Sequence, residues 1–246
     1  MELHEVVAIV TGGGRGFGRA FAEEILSGRG KVMITDVNVQ ELEATGKELQ
    51  QKFGESNVCW DRQNVTEKKS FSRAFAYAST YFKQPVNVLV NNAGIACDMT
   101  FYKPDSTTWE TVVEIDLVAL IRGTKCAIGE FKRTLNGKEG VVVNLGSMAG
   151  LTSAPFGPDY AAAKAGVVGF TRSLYMLKKS DNIQAHVEIP EYTNMMGGLM
   201  PVKVVVDAFS AGLREPDNSG RVQRIMKDTS YYRFPGDKVL FPESKL

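Results

Sequence analysis

The chain has 246 residues, 43% of them hydrophobic and 23% charged, the balance of an ordinary globular protein with room for one sizeable core. A net charge of +1 gives no electrostatic footing for nucleic acid or an anionic membrane surface. Cys59, Cys97 and Cys126 are scattered and odd in number, so neither a metal site nor a disulfide framework is indicated.

Short apolar runs alternate with amphipathic segments. Strands are expected at Val6–Val10, Lys31–Asp36, Val58–Asp61, Val86–Asn91, Gly140–Leu145, Ile183–Ile189 and Arg221–Met226. Helices are expected from the glycine turn to about Ser27, then at Val39–Lys52, Glu67–Phe82, Thr108–Lys132, Pro158–Lys178 and Val202–Leu213. Near-continuous apolar strands alternating with helices mean an α/β fold: a parallel, doubly wound sheet of about seven strands covered on both faces. No linker divides the chain, so residues 1–246 read as one domain. Met1-Glu2-Leu3-His4-Glu5 has no basic stretch leading into a long apolar one, and no apolar run approaches a membrane span. A reducing, cytoplasmic location is therefore expected.

Tyr160-Ala161-Ala162-Ala163-Lys164 puts a phenol and an ammonium four residues apart on one helix face. A nearby cation favours the phenolate, which makes the pair a candidate general acid/base. Alone, this spacing is weak and equally describes a surface helix. Ser147, thirteen residues upstream at the end of an apolar strand, adds a hydroxyl.

Thr11-Gly12-Gly13-Gly14-Arg15-Gly16-Phe17-Gly18 lies between the first strand and the first helix. Glycines there allow a tight turn and close approach of backbone to ligand, and the helix N-terminus offers N–H groups to a pyrophosphate. Asp36, eighteen residues past Gly18, ends the second strand, where a carboxylate binds ribose hydroxyls and repels a 2′-phosphate. Its bland alternative is a helix-capping aspartate. Arg15 pulls the other way, since a guanidinium attracts that phosphate. The carboxylate should dominate, which favours NAD over NADP.

Thr11-Gly12-x3-Gly16-x-Gly18, Asn91-Asn92-Ala93-Gly94, Ser147 and Tyr160-x3-Lys164 together resemble the short-chain dehydrogenase/reductases, in that family's order and spacing across roughly residues 5–180. Ile121-Arg122-Gly123-Thr124, Gly166–Ser173 and a weaker match around Val205–Phe209 and Gly220–Ile225 resemble the 15-hydroxyprostaglandin dehydrogenase-like branch, its insect members especially. The resemblance implies a single-domain Rossmann fold. It implies Tyr160 as acid/base, Lys164 holding the ribose and lowering the phenol's pKa, and Ser147 orienting the substrate oxygen. Gly12, Arg15, Gly16, Phe17, Gly18, Asp36, Asn64, Val65, Asn91, Ala93, Gly94, Pro190 and Thr193, with Tyr160 and Lys164, would contact the cofactor. It also implies a homodimer or homotetramer through the helices at about 108–132 and 158–178.

The chain departs from the family at several points. Asp116 stands where the family has a catalytic Asn, exchanging an N–H donor for a potential charge; a retuned proton relay is expected. Asn64-Val65 replaces a usual Asp-Val, and the Asn oxygen can still accept from the adenine amino group. Pro190-Glu191 replaces Pro-Gly, and Glu188 lies inside a strand, where a buried carboxylate needs a partner unless this end of the site is remodelled. Met195 stands where another threonine is common. The substrate loop at about 191–203 is short, and Met195, Met196, Leu199 and Met200 make it apolar and adaptable. The tail at about 229–246 carries aromatics and prolines suited to crossing a neighbouring subunit.

Two functions follow. One is an NAD(P)-dependent oxidoreductase interconverting a secondary alcohol and a ketone on a lipid-derived compound such as a hydroxy fatty acid, hydroxylactone or eicosanoid. The other is a catalytically impaired nucleotide-binding or scaffold protein on the same fold, suggested by Asp116, Glu188, Glu191 and the short loop. The complete Ser147, Tyr160 and Lys164 set favours the enzyme.

Overall fold

The first strand, β1 (Val7–Thr11), is buried at every position, which an apolar run satisfies only between two covering layers. Its side chains alternate: Ala8 and Val10 join one core cluster, Val7 and Ile9 the other. The computed structural model describes residues 1–96, 99–190, 202–215, 219–225 and the backbone of 231–233. The same logic repeats through β2 (Lys31–Asp36), β3 (Val58–Arg62), β4 (Val88–Asn91), β5 (Gly140–Leu145), β6 (Ile183–Pro190) and β7 (Val222–Ile225). Strand order is β3-β2-β1-β4-β5-β6-β7, all parallel, with β8 (Tyr231–Arg233) antiparallel to β7.

One layer holds α1 (Gly16–Ser27), α2 (Val39–Phe53) and α8 (Val202–Arg214), whose Phe21, Ile25, Leu42, Leu49 and Phe209 fill the first cluster. Phe21 and Phe209 stack with ring centroids 4.6 Å apart. The other layer holds α3 (Ser70–Phe82) and α5 (Leu120–Thr134), which contribute Phe71, Phe75 and Phe131. A helix α6 (Pro158–Arg172) covers the β6 end with Val167 and Val168 against Val187 and Ile189. The order reverses between β1 and β4, and at such a switch point the carboxyl ends of the strands open a crevice.

Three details differ from the sequence pattern. The helix expected at Thr108–Lys132 is continuous but begins as α4 (Thr108–Val113), widens to a π-helical segment at Glu114–Ala119 and resumes as α5. π segments concentrate at functional sites, and this one carries Asp116. The helix expected at Pro158–Lys178 stops at Arg172. There Ser173 N–H reaches both Gly169 O and Phe170 O, its hydroxyl also donates to Gly169 O at 2.8 Å, and Leu174 N–H turns tightly to Thr171 O; α7 (Leu177–Asp181) follows. A further short strand not expected from the sequence, residues 231–233, pairs with β7 of the same chain; the rest of the tail at 229–246, with the expectation that it crosses a neighbouring subunit, lies outside the described residues.

Candidate active site

A cleft of about 680 Å³ opens at the switch point. The carboxyl ends of β1, β2, β4, β5 and β6 supply its floor: Gly12, Asp36, Asn92–Ala96, Leu145–Ser147 and Pro190. Arg15, Gly16 and Phe17 contribute the glycine turn, Asn64 and Val65 one wall, and Asp116, Tyr160 and Lys164 the far end. The three groups singled out as catalytic, and Asp116 with them, therefore share one cavity with the glycine turn.

No side chain caps α1 at its N-cap, Arg15, so its first N–H groups face the cleft without a side-chain acceptor. Gly16 holds φ +58°, and a Cβ there would meet nothing within 4 Å, a cradle open to a ligand. Gly18 has the opposite role. It does not line the cleft; a Cβ on it would fall 2.2 Å from Gly12 O, so it lets α1 pack against the turn. Asn92 locks that turn to β4, donating to Thr11 O at 2.8 Å and Gly12 O at 2.9 Å.

Asp36 is fixed by two backbone amides, Gly14 N–H at 3.1 Å on Oδ2 and Asn38 N–H at 3.0 Å on Oδ1. Glu41, on the first turn of α2, brings a second carboxylate into the cleft and lies 3.5 Å from Arg15 Nε. Sequence reasoning missed Glu41; the Asn38 cap, whose Oδ1 accepts from Glu41 N–H, was the available signal. Asn64 Oδ1 already accepts from Thr66 N–H at 3.1 Å and Thr66 Oγ1 at 2.9 Å, so the oxygen assigned to adenine is committed to its own loop.

Asn91 does not line the cleft, contrary to the sequence reading. On β4 it shares a face with Leu89 and is 4% exposed. Its Nδ2 donates to Asn144 Oδ1 at 2.9 Å and Thr124 Oγ1 at 3.1 Å, and Asn144 Nδ2 continues to Thr171 Oγ1 at 2.9 Å. This buried chain ties β4, β5, α5 and α6 together.

Ser147, two residues past β5, is buried; its Oγ accepts from Ala149 N–H at 3.2 Å, which leaves the hydroxyl hydrogen to be donated. Tyr160 enters on the first turn of α6, behind Pro158. Lys164, one turn on, holds its Nζ 5.5 Å from the Tyr160 ring centroid and donates to Leu145 O at 3.1 Å. Asp116 Oδ2 lies 3.1 Å from that same Nζ, with both side chains buried. The pair is a Coulombic contact rather than an aligned hydrogen bond, since Oδ2 has no hydrogen-bonding donor among the described residues. Asp116 Oδ1 accepts from Ile95 N–H at 2.8 Å. Burial pushes the Asp116 carboxyl above its ordinary 3.8, Lys164 and the Ile95 N–H pull it down, and Asp159 adds to the rise.

Behind Pro190, Glu188 is wholly buried. His186 Nε2 is 3.6 Å from its Oε1, beyond hydrogen-bond reach, and neither carboxylate oxygen has a hydrogen-bond partner among the described residues. Burial pushes the Glu188 carboxyl up, with His186 opposing. Gly212 of α8 roofs the cluster: a Cβ there would lie 3.0 Å from His186 Nε2 and 3.1 Å from Glu188 Oε1. Thr193, Glu191, Met195, Met196, Leu199 and Met200 lie outside the described residues.

A doubly wound parallel sheet with its cleft at the switch point is the Rossmann architecture. The short chain dehydrogenase pattern matches residues 6–198, and the chain belongs to this family of oxidoreductases. A 15-hydroxyprostaglandin dehydrogenase [NAD(+)] from Macaca fascicularis is 32% identical over 173 residues, 70% of this chain but 62% of that relative's length. A 3-oxoacyl-[acyl-carrier-protein] reductase FabG from Haemophilus influenzae is 31% identical over 218 residues, 88% of this chain and 84% of the relative. A short chain dehydrogenase/reductase from Burkholderia phymatum, solved in complex with NAD, superposes with a TM-score of 0.81 at 22% identity, covering 92% of this chain and 90% of that one. Among the described residues no helix is long and apolar enough to cross a membrane, and no cluster of His, Cys, Asp and Glu could hold a metal ion.

Proposed function

We propose that the protein is an NAD-dependent oxidoreductase interconverting a secondary alcohol and a ketone, with Tyr160 as general acid/base. The observation that carries this reading is the convergence of Ser147, Tyr160 and Lys164 on the cleft that the glycine turn opens. A dinucleotide fits the residues present. The uncapped N-terminus of α1 and the open space over Gly16 suit a pyrophosphate. Asp36 and Glu41 suit unphosphorylated ribose hydroxyls and oppose a 2′-phosphate, while Glu41 engages Arg15. Bound NAD would supply the hydride acceptor. Tyr160 would take the alcohol proton in oxidation and return it to the carbonyl oxygen in reduction, with the Ser147 hydroxyl orienting that oxygen.

A lipid-derived hydroxyl is the favoured substrate class, supported by the prostaglandin dehydrogenase relatives. Exposed Met99, Phe101, Tyr102 and Phe156 add apolar surface on the loops that follow β4 and β5. A homo-oligomer through the α4–α5 and α6 surfaces is favoured by exposed Trp109 and Val118. A cytoplasmic location is in keeping with these assignments.

Titration with NADH, read by nicotinamide fluorescence, followed by a panel of secondary alcohols with NAD, tests the function. Turnover abolished by Tyr160→Phe is the expected result. Binding without turnover of any alcohol or ketone, equal in wild type and Tyr160→Phe, would instead assign a nucleotide-binding scaffold.

A further inference from the structure

The Asp116–Lys164 contact is a feature that the proposed reaction does not require. Both side chains are almost completely buried, 1% and 6% exposed, and their charged atoms are 3.1 Å apart. At that separation and burial the Coulomb interaction is little screened by solvent. Among the described residues, the contacts of the pair are specific. Ile95 N–H fixes Asp116 Oδ1, and Leu145 O fixes Lys164 Nζ. From α6, Asp159 and Tyr160 adjoin the pair; Glu110 on α4 is exposed, and Glu114 on the π segment is engaged by Arg122 at 3.1 Å. Lys164 is thus the cation nearest Tyr160 that these contacts define, and Asp116 is its counter-ion.

We propose that Asp116 is a positioning residue: its carboxylate tethers the Lys164 ammonium and offsets its charge, so that Tyr160 keeps its proton to a higher pH than a neutral side chain at 116 would allow. The inference rests on the reading of Tyr160 as the acid/base and specifies how that group is regulated. A protonated phenol is the form that donates to a carbonyl oxygen, whereas the phenolate is the form that accepts from an alcohol. Asp116 therefore biases the site at neutral pH toward carbonyl reduction and makes alcohol oxidation rise with pH. Asp116 lies within the π segment, and Lys164 approaches it from a different helix.

Ultraviolet titration of tyrosinate in the cofactor-free protein tests this without reference to activity. Difference titrations of wild type against Tyr160→Phe, and of Asp116→Asn against Asp116→Asn/Tyr160→Phe, isolate the Tyr160 signal. Tyr160 is expected to ionise about one pH unit lower, or more, when Asp116 is Asn, the size of effect one close charge produces. Asp116→Ala should move it the same way, which covers a failure of the Asn variant to fold. An unchanged or higher midpoint in whichever variant folds overturns the proposal. Activity separates the two ideas: if Tyr160→Phe still turns over, the acid/base reading fails whatever the titration shows. If Tyr160→Phe is dead and the titration does not move, only the role of Asp116 fails.

Discussion

Glu41 Oε2 lies 3.5 Å from Arg15 Nε, so the guanidinium of the glycine turn is turned toward a carboxylate on α2. Arg15 is 79% exposed, and such a pair adds little to stability. Its consequence is for specificity, because it opposes the attraction of Arg15 for a 2′-phosphate and adds a second negative group beside Asp36. Asp36→Ala should narrow the proposed preference for NADH over NADPH by about tenfold or more, the ratio that ~1.4 kcal/mol commands. Glu41→Gln should narrow it further by releasing Arg15. Fluorescence titrations with the two reduced cofactors measure both ratios. A wild-type protein that already prefers NADPH would reverse the assignment of Asp36 over Arg15.

Two glycines of the same turn should respond differently to one methyl group. A Cβ on Gly18 would lie 2.2 Å from Gly12 O and 2.5 Å from Asn92 Nδ2, and the backbone oxygen cannot yield without moving the turn. Gly18→Ala should destabilise the fold by roughly 2–4 kcal/mol, at the upper end of single substitutions, and abolish cofactor binding. On Gly16 the methyl meets open space, and only the φ of +58° is unfavourable. Gly16→Ala should cost about 1–2 kcal/mol. Urea unfolding of both variants, with NADH titration, compares them; similar losses would mean the turn adjusts more freely than its contacts allow.

Asn91 and Asn144, on neighbouring strands, share a 2.9 Å amide hydrogen bond inside the core. Asn91→Ala removes the donor and leaves Asn144 Oδ1 with only the long 3.4 Å contact from Thr124 Oγ1. The expected loss is about 1–3 kcal/mol of stability, with the NADH to NADPH ratio unchanged because Asn91 does not line the cleft. Thermal melts and cofactor titrations of one preparation check both halves. A changed ratio at unchanged stability would return Asn91 to the binding site.

The elements were legible where burial dictates residue type. β2 has the bounds expected from its apolar run, Lys31–Asp36, because both of its faces are covered. The convergence of Ser147, Tyr160 and Lys164 was implied by the family resemblance, while the apolar pattern and Pro158 placed only the strand end and the helix start that carry them. The π segment was not, because an i→i+5 turn leaves the apolar pattern of a helix nearly unaltered. Nor was the contact of Asp116 with Lys164, which joins two helical segments far apart in sequence. The direction of Asn91 could have been read from strand alternation, which puts it on the Leu89 face. Its place in an Asn-Asn-Ala-Gly run drew attention to the loop instead. Arg15 and Glu41 meet only once the turn and α2 are folded, so their pairing could not outweigh Arg15 in the sequence.

Glu188 sets a pH dependence of stability whose sign follows from its surroundings. Burial raises its carboxyl above the ordinary 4.5, and His186 only partly opposes this. The folded chain therefore holds the Glu188 proton more tightly than the unfolded chain does. Its contribution is fully present below about the unfolded value and is lost as pH rises through the higher folded value. Glu188→Gln keeps the shape and removes the ionisation. Its melting temperature should match wild type at acid pH and exceed it at alkaline pH. A gain of about 1 kcal/mol there corresponds to roughly 2–4 °C for a chain of this size. His186→Ala, which removes the opposing imidazole, should steepen the wild-type decline. Melts across the pH range on all three proteins give the test. A Glu188→Gln variant less stable than wild type at every pH would mean that the buried carboxylate is held by its neighbours rather than penalised among them.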